Sequence, residues 1–168
     1  LGFSIGEEII PLTYDLFLET GTGQRLADPA NFDNPSAELY QAIRGRTLYF
    51  NGLLANEANG GARVQLFAPF TWDSGSSFAH LDENRFPAGD PDSLMTPRIG
   101  LSEVVHDPGP VALGLLGDLG WDHVWLEHRE NKDTEDLLSP IRIQTKITSD
   151  TPIERAPTLF YKTAGQVE

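Results

Sequence analysis

The chain contains no cysteine and only one methionine among its 168 residues. Without thiols, the sequence excludes a disulfide framework, a cysteine-ligated zinc site and catalysis by a thiolate nucleophile. The absence of cysteine does not decide the compartment, because many secreted bacterial proteins also lack it. The single methionine, Met95, is hard to attribute to abundance, so its position in the chain carries information.

Basic residues and long apolar runs are also scarce. Twelve Lys and Arg stand against 25 Asp and Glu, which gives a formal net charge of −13 and a pI of about 4.5. Nucleic acids and anionic membranes are bound by clustered Lys and Arg, so neither is an expected partner. No apolar run approaches the ~20 residues that cross a bilayer. The excess of carboxylates favours solubility and leaves oxygen ligands available for Ca²⁺.

The composition is nevertheless that of a folded protein. Hydrophobic residues make up 39% of the chain, with three Trp, nine Phe and four Tyr, which argues against disorder and supports one domain with a real core. The 16 Gly and 12 Pro predict a loop-rich α+β fold with few helices and short strands. Because the sequence starts at Leu1 and not at a methionine, we interpret it as a fragment or a processed product.

Hydrophobic periodicity and turn residues predict short elements in the first half of the chain. Asn34-Pro35 is a favourable helix start, since Asn caps helices well and Pro fits the first turn. The predicted elements are a strand at 14–19, a helix from 34–35 to Gly45, a strand at 47–50, a loop over 55–61 and a strand at 62–67.

The second half combines a long irregular stretch with one clear helix. Residues 68–98 are rich in Pro, Gly, Ser and Asp, and an irregular stretch of this length is more often functional than idle. A helix is predicted from Asp107-Pro108 to its C-cap at Gly120. Beyond a charged segment, alternating residues from 141 onwards predict the first hairpin of a β-sandwich.

One histidine and the methionine lie fifteen residues apart in this second half. His80 follows Gly75-Ser76-Ser77-Phe78-Ala79, and Met95 lies within Ser93-Leu94-Met95-Thr96-Pro97. A catalytic zinc takes three protein ligands and a water whose pKa it lowers to roughly 7. The helical motif H-E-x-x-H supplies two ligands and a glutamate base, and a later histidine completes the set.

This arrangement resembles the leishmanolysin-like metzincins, and their bacterial branch in particular. Leu1-Gly2-Phe3-Ser4 looks like the continuation of H-E-x-x-H-x-L-G-F-S, and the resemblance continues through the His80 and Met95 motifs to Trp121. It implies that His80 is the third zinc ligand, that Met95 forms the methionine turn beneath the metal, and that Gly2 is the residue at which the chain leaves the zinc-binding helix.

The resemblance also implies an organisation and an activity. Residues 1–126 would form a metzincin-like C-terminal subdomain. Beyond the resemblance, charge predicts a linker over 127–140, and alternation predicts the start of a truncated β module of the immunoglobulin or fibronectin type over 141–168. The intact protein would be a secreted zinc metalloendopeptidase that hydrolyses polypeptides with a zinc-activated water. Since H-E-x-x-H is not in this chain, it holds no catalytic residue, and the fragment itself is expected to be inactive.

Each of these assignments has a plainer alternative. A loop histidine such as His80 often only braces its loop, and a lone Met95 often fills a core. Asp82 and Glu83 either support the imidazole of a metal ligand or belong to a solvated acidic loop. The rival for the whole protein is a non-enzymatic extracellular binding or adhesion module with a degenerate protease-like core.

Other acidic residues and histidines also have plain structural roles available to them. Asp82, Asp90 and Asp92 either bind Ca²⁺ or form turns, and their spacing is not that of an EF-hand. His106 is expected to brace the loop before the predicted helix. His123 and His128 are expected to be solvated, near or within the charged segment.

Overall fold

The computed structural model describes residues 1–6, 8–121, 124–128, 139–140, 142–149, 152–153 and 156–159. Contacts between Cα atoms divide the chain into two units, Leu1–Trp121 and Asp122–Glu168. Three sequence predictions fall wholly or mainly outside the described residues: the solvation of His123, the charged linker, and the second strand of the predicted β hairpin, which the sequence places at 158–162.

The first unit has an α+β architecture, with few helices and short antiparallel strands, as the composition predicts. Two 3-10 turns, Tyr14–Phe17 and Ser93–Met95, add to the regular elements. In chain order the elements are β1 (Phe3–Ile5), β2 (Glu8–Ile10), β3 (Leu18–Thr20), α1 (Ala37–Ala42), β4 (Leu48–Phe50), α2 (Leu53–Ala58), β5 (Val64–Gln65) and α3 (Gly109–Asp118).

A three-stranded antiparallel sheet in the order β3-β4-β5 carries the core. Leu18 pairs with Phe50, and Phe50 pairs with Val64, so these three side chains are neighbours in adjacent strands and all are fully buried. The ring of Phe17 stacks on Phe50 with ring centroids 4.9 Å apart. The strands predicted at 47–50 and 62–67 are therefore confirmed at their centres.

The loop predicted over 55–61 is wrong in its first half, because α2 occupies Leu53–Ala58. The Asp118 carboxylate, at the far end of α3, accepts hydrogen bonds from the backbone N–H groups of Leu54 (3.0 Å) and Ala55 (2.9 Å). These are the N–H groups that a helix start leaves without partners, so α2 is capped by another helix. Tertiary contacts supply a helix start that the local sequence lacks.

Two other predicted boundaries are shifted. Residues 14–17 form a 3-10 turn where a strand was predicted, and only 18–20 are extended. The helix predicted from Asn34-Pro35 begins at Ala37, because the Ser36 hydroxyl accepts the hydrogen bond from the backbone N–H of Leu39 at 3.0 Å. Ser36 is therefore the N-cap, and the proline precedes it.

The predicted helix near Pro108 is confirmed as α3, which lies close against α2. A Cβ atom added to Gly114 would lie 2.7 Å from the carbonyl oxygen of Leu54, so only glycine allows this approach. Residues 68–98 are largely irregular apart from the turn at Ser93–Met95, also as predicted.

The second unit contains an antiparallel hairpin of β6 (Val124–His128) and β7 (Thr145–Ser149). β6 includes residues 127 and 128, so the segment that composition assigns to a linker begins inside a strand. All five β6 side chains are exposed. Within the described parts of both units, no helix has the length and apolar character needed to cross a membrane.

Candidate functional site

The segment around His80 extends the core sheet at its β5 edge. The Phe67 N–H donates to the His80 carbonyl at 2.8 Å, and the Asp82 N–H donates to the Gln65 carbonyl at 3.1 Å. Leu81, between them, forms an antiparallel bridge with Leu66. His80 is therefore held on a backbone ladder attached to the buried sheet, although its loop has no periodic hydrophobic pattern.

Met95 is joined directly to this ladder. The Leu81 N–H donates to the Met95 carbonyl at 2.9 Å, which places the methionine turn beside the residue that follows His80. The Met95 side chain is 40% exposed, so it is not a filler of the described core. The structure thus brings together the two segments that the sequence singles out.

A largely apolar cavity of about 260 Å³ lies between these segments and α3. The two site segments contribute Ala79, Leu81 and Met95, and α3 contributes leucines from its second half. Tyr14 closes part of the wall. The methionine turn therefore faces α3 across an apolar space.

The imidazole ring of His80 has a defined orientation. Its Nδ1 lies 3.2 Å from the Ser76 carbonyl oxygen, which can only accept a hydrogen bond. Nδ1 must therefore carry the proton in this contact, and Nε2 of the neutral ring keeps its lone pair. Metal-ligating histidines are usually oriented in this way, by donating the second ring N–H to a carbonyl or carboxylate.

Tyr14 supports the same loop from the core side. Its hydroxyl donates to the Phe78 carbonyl at 2.7 Å, and its ring lies against those of Phe50 and Phe78. Burial, with a smaller contribution from the charge of Asp15, raises the pKa of Tyr14 above its ordinary value. The hydroxyl therefore remains a neutral donor at physiological pH.

The other candidate residues are Asp82 and Glu83, at the end of the His80 ladder, and Gly2 near the start of the chain. The buried carboxylate of Asp82 accepts hydrogen bonds from the backbone and side-chain nitrogens of Asn84 at 2.9 and 3.0 Å, which makes it a turn former in this structure. Glu83 is half-buried beside it. Gly2 has φ of +91°, and a Cβ atom there would collide with the Ile10 carbonyl, so the backbone at this position accepts only glycine.

A second aspartate connects the methionine turn to α3. Asp92, only 6% exposed, precedes the turn, and its Oδ1 accepts the Val111 N–H of the first helical turn at 2.8 Å. Burial raises the pKa of Asp92 above its ordinary value, and the hydrogen bond from Val111 opposes this shift. Asp90 accepts the Asp92 N–H at 2.9 Å. The carboxylates of both aspartates thus accept hydrogen bonds from backbone N–H groups.

Gly109 is the residue that lets Asp92 reach the helix. Its φ is +83°, and a Cβ atom there would collide with Asp92 Oδ1 and lie 2.5 Å from the Pro91 carbonyl oxygen. Gly109→Ala is expected to cost about 1–2 kcal/mol for the left-handed backbone and about 1–3 kcal/mol for the collision. Gly120→Ala is the matched control, because Gly120 has φ of +86° and open space around it.

Urea unfolding of the two variants measures the difference. Gly120→Ala should lose only the backbone contribution of about 1–2 kcal/mol, and Gly109→Ala should lose clearly more. Equal losses in the two variants would show that the Asp92 contact does not constrain residue 109.

The described residues supply a histidine, His80, whose ring is oriented as metal-ligating histidines usually are. Within the described chain, no three His, Cys, Asp or Glu side chains are grouped to hold a metal ion. His80 fits the role of a single zinc ligand, since its Nδ1–H is bound to the Ser76 carbonyl and its Nε2 has no hydrogen-bond partner among the described residues. His106 lies exposed in the loop before α3, and His128 lies in β6 with Nδ1 3.0 Å from the Gln144 carbonyl oxygen.

Sequence reasoning missed Tyr14, Ser76 and Asp92 as supports of the site. Tyr14 lies 64 residues from Phe78, and Asp92 lies 19 residues from Val111. No local sequence pattern therefore predicts either hydrogen bond. Only the Gly/Ser-rich approach to His80 was a usable signal, because small residues allow the tight turn in which Ser76 meets the ring.

Comparison of the chain with models of known protein families, with curated proteins and with solved structures found no match.

Proposed function

We propose that this chain is the part of a secreted, leishmanolysin-like zinc metalloendopeptidase that carries the third zinc ligand and the methionine turn. His80 would bind zinc through Nε2, with Met95 beneath the metal. The observation that carries the proposal is the contact between His80 Nδ1 and the Ser76 carbonyl oxygen. This contact places the proton on Nδ1 and leaves the lone pair of the neutral ring on Nε2. The hydrogen bond between Leu81 and Met95 supports it, because it keeps the turn beside the ligand.

The remaining ligands and the general base would come from an H-E-x-x-H helix preceding Leu1, with Gly2 as its exit. Bound zinc would polarise the scissile carbonyl and lower the pKa of a bound water. The role of this chain is narrower: it presents one imidazole in a fixed tautomer and holds it on the sheet. We further propose that residues 141–168 begin a β module of the immunoglobulin or fibronectin type. Strand β7 supports this, although its partner β6 (Val124–His128) lies before residue 141.

Polypeptides are the proposed substrates, and neither nucleic acid nor membrane is a proposed partner of this acidic chain. Calcium remains a secondary proposal for the full-length protein. Asp82, Asp90 and Asp92 each accept a backbone N–H in this structure, which supports a turn-forming role more than an ion site.

The test uses the full-length protein and this chain in parallel. The residues encoded before Leu1 should contain H-E-x-x-H, and the full-length protein should cleave a protein substrate in a reaction that a zinc chelator stops. The chain of residues 1–168 alone should show no cleavage. Absence of H-E-x-x-H before Leu1 would overturn the peptidase proposal and favour the non-enzymatic binding or adhesion module.

A further inference from the structure

The loop that carries His80 contains a backbone conformation that its own residues do not favour. Phe78, two residues before His80, has φ of +58°, in the left-handed region where a bulky side chain is an outlier. Such a conformation persists only when the surrounding structure holds it, and residues of this kind cluster at functional sites. The groups that hold Phe78 therefore bear on the position of His80.

The backbone N–H and the carbonyl of Phe78 each form a hydrogen bond with a residue outside the loop. Its N–H donates to the Phe67 carbonyl at 2.7 Å, and its carbonyl accepts from the Tyr14 hydroxyl at 2.7 Å. The first bond belongs to the backbone ladder that any sequence here would form. The second depends on one side-chain oxygen, contributed from 64 residues away.

We propose that Tyr14 is a positioning residue for the metal ligand: its hydroxyl holds the Phe78 carbonyl and thereby fixes the turn in which Ser76 receives the Nδ1–H of His80. The Phe78 carbonyl lies in the peptide that leads into Ala79 and His80, so its rotation would move the ring away from the Ser76 oxygen. The Tyr14 ring, packed between Phe50 and Phe78 with centroids 5.6 and 6.4 Å away, cannot follow such a rotation.

The effect of Tyr14 on zinc binding rests on the proposed function. Its effect on the orientation of the His80 ring does not. Tyr14→Phe keeps the packed ring and removes only the hydroxyl. Tyr49→Phe is the matched control, because the Tyr49 ring lies beneath Arg63 and its hydroxyl has no hydrogen-bond partner among the described residues.

The first measurement uses the metal-free chain and the ¹⁵N chemical shifts of the His80 ring nitrogens, at a pH where the imidazole is neutral. The unmodified chain and Tyr49→Phe should show Nδ1 protonated. Tyr14→Phe should lose this fixed tautomer and show the averaged pattern of a ring that exchanges between both. A fixed Nδ1–H in Tyr14→Phe would overturn the inference.

The second measurement is the zinc dissociation constant of the full-length protein. Loss of a group that orients a ligand costs roughly 10–100-fold in metal affinity, and we expect about tenfold weaker binding for Tyr14→Phe with no change for Tyr49→Phe. Unchanged zinc affinity in Tyr14→Phe would also overturn the inference. If the full-length protein binds no zinc at all, the proposed function fails, and the tautomer measurement alone still decides the role of Tyr14.

Discussion

Replacement of His80 by alanine is expected to weaken zinc binding by the full-length protein by more than about 100-fold, because removing a group that only orients a ligand already costs roughly 10–100-fold. His80 is proposed to bind the metal directly, so its loss should exceed that range. Two imidazoles of H-E-x-x-H would remain, and they cannot by themselves complete a three-ligand catalytic site.

The matched control for this experiment is His106→Ala. His106 is an exposed loop residue on the approach to α3, and its replacement should leave the zinc content unchanged. Zinc is measured per protein molecule after dialysis, and the dissociation constant by competition with a chelator. An unaltered zinc content in His80→Ala would remove His80 from the metal site, whatever the protein's activity.

Phe50→Ala is expected to lower the free energy of unfolding of the first unit by about 3–5 kcal/mol, the usual cost of deleting a buried aromatic side chain. Phe50 is 0% exposed, lies in the central strand β4, and contacts the rings of both Phe17 and Tyr14. Its removal would leave a cavity at the point where the sheet meets the aromatic residues behind the His80 loop.

Urea unfolding followed by circular dichroism measures this loss. Phe70→Ala is the control, because Phe70 is 63% exposed and its ring should contribute well under half as much. Since the Phe50 ring packs against Tyr14, we also expect the His80 loop to lose protection from hydrogen exchange in Phe50→Ala. Equal losses of stability in the two variants would contradict the position of Phe50 at the centre of the core.

Elements with complete local signals could be predicted from the sequence. The helix α3 follows Asp107-Pro108 and is closed by Gly120, and its start and stop residues lie within the element or directly beside it. The strands β4 and β5 are likewise short alternating segments between turn residues. In each case the start and stop signals are neighbours in the chain, although the Val111 N–H at the start of α3 is bound by Asp92, 19 residues earlier.

Elements that depend on distant partners could not be predicted. α2 has no capping side chain of its own, and its first N–H groups are bound by Asp118, 63 and 64 residues further along the chain. The 3-10 turn at Tyr14–Phe17 has a different cause, which is local. The Asp15 carboxylate accepts the Leu12 N–H at 2.8 Å and closes the turn, although the partly alternating pattern of residues 14–19 favours a strand.

The sequence by itself excluded thiol chemistry, showed a strong excess of acidic over basic residues, and singled out His80 and Met95 by their motifs. Only the tertiary structure decided that these residues lie on one backbone ladder and that the His80 ring presents Nε2 with its lone pair. The physical reason is that residues 68–98 have no periodicity of their own. Within this stretch, Phe78, His80 and Asp82 are held by hydrogen bonds with Tyr14, Phe67 and Gln65. No local pattern encodes these contacts.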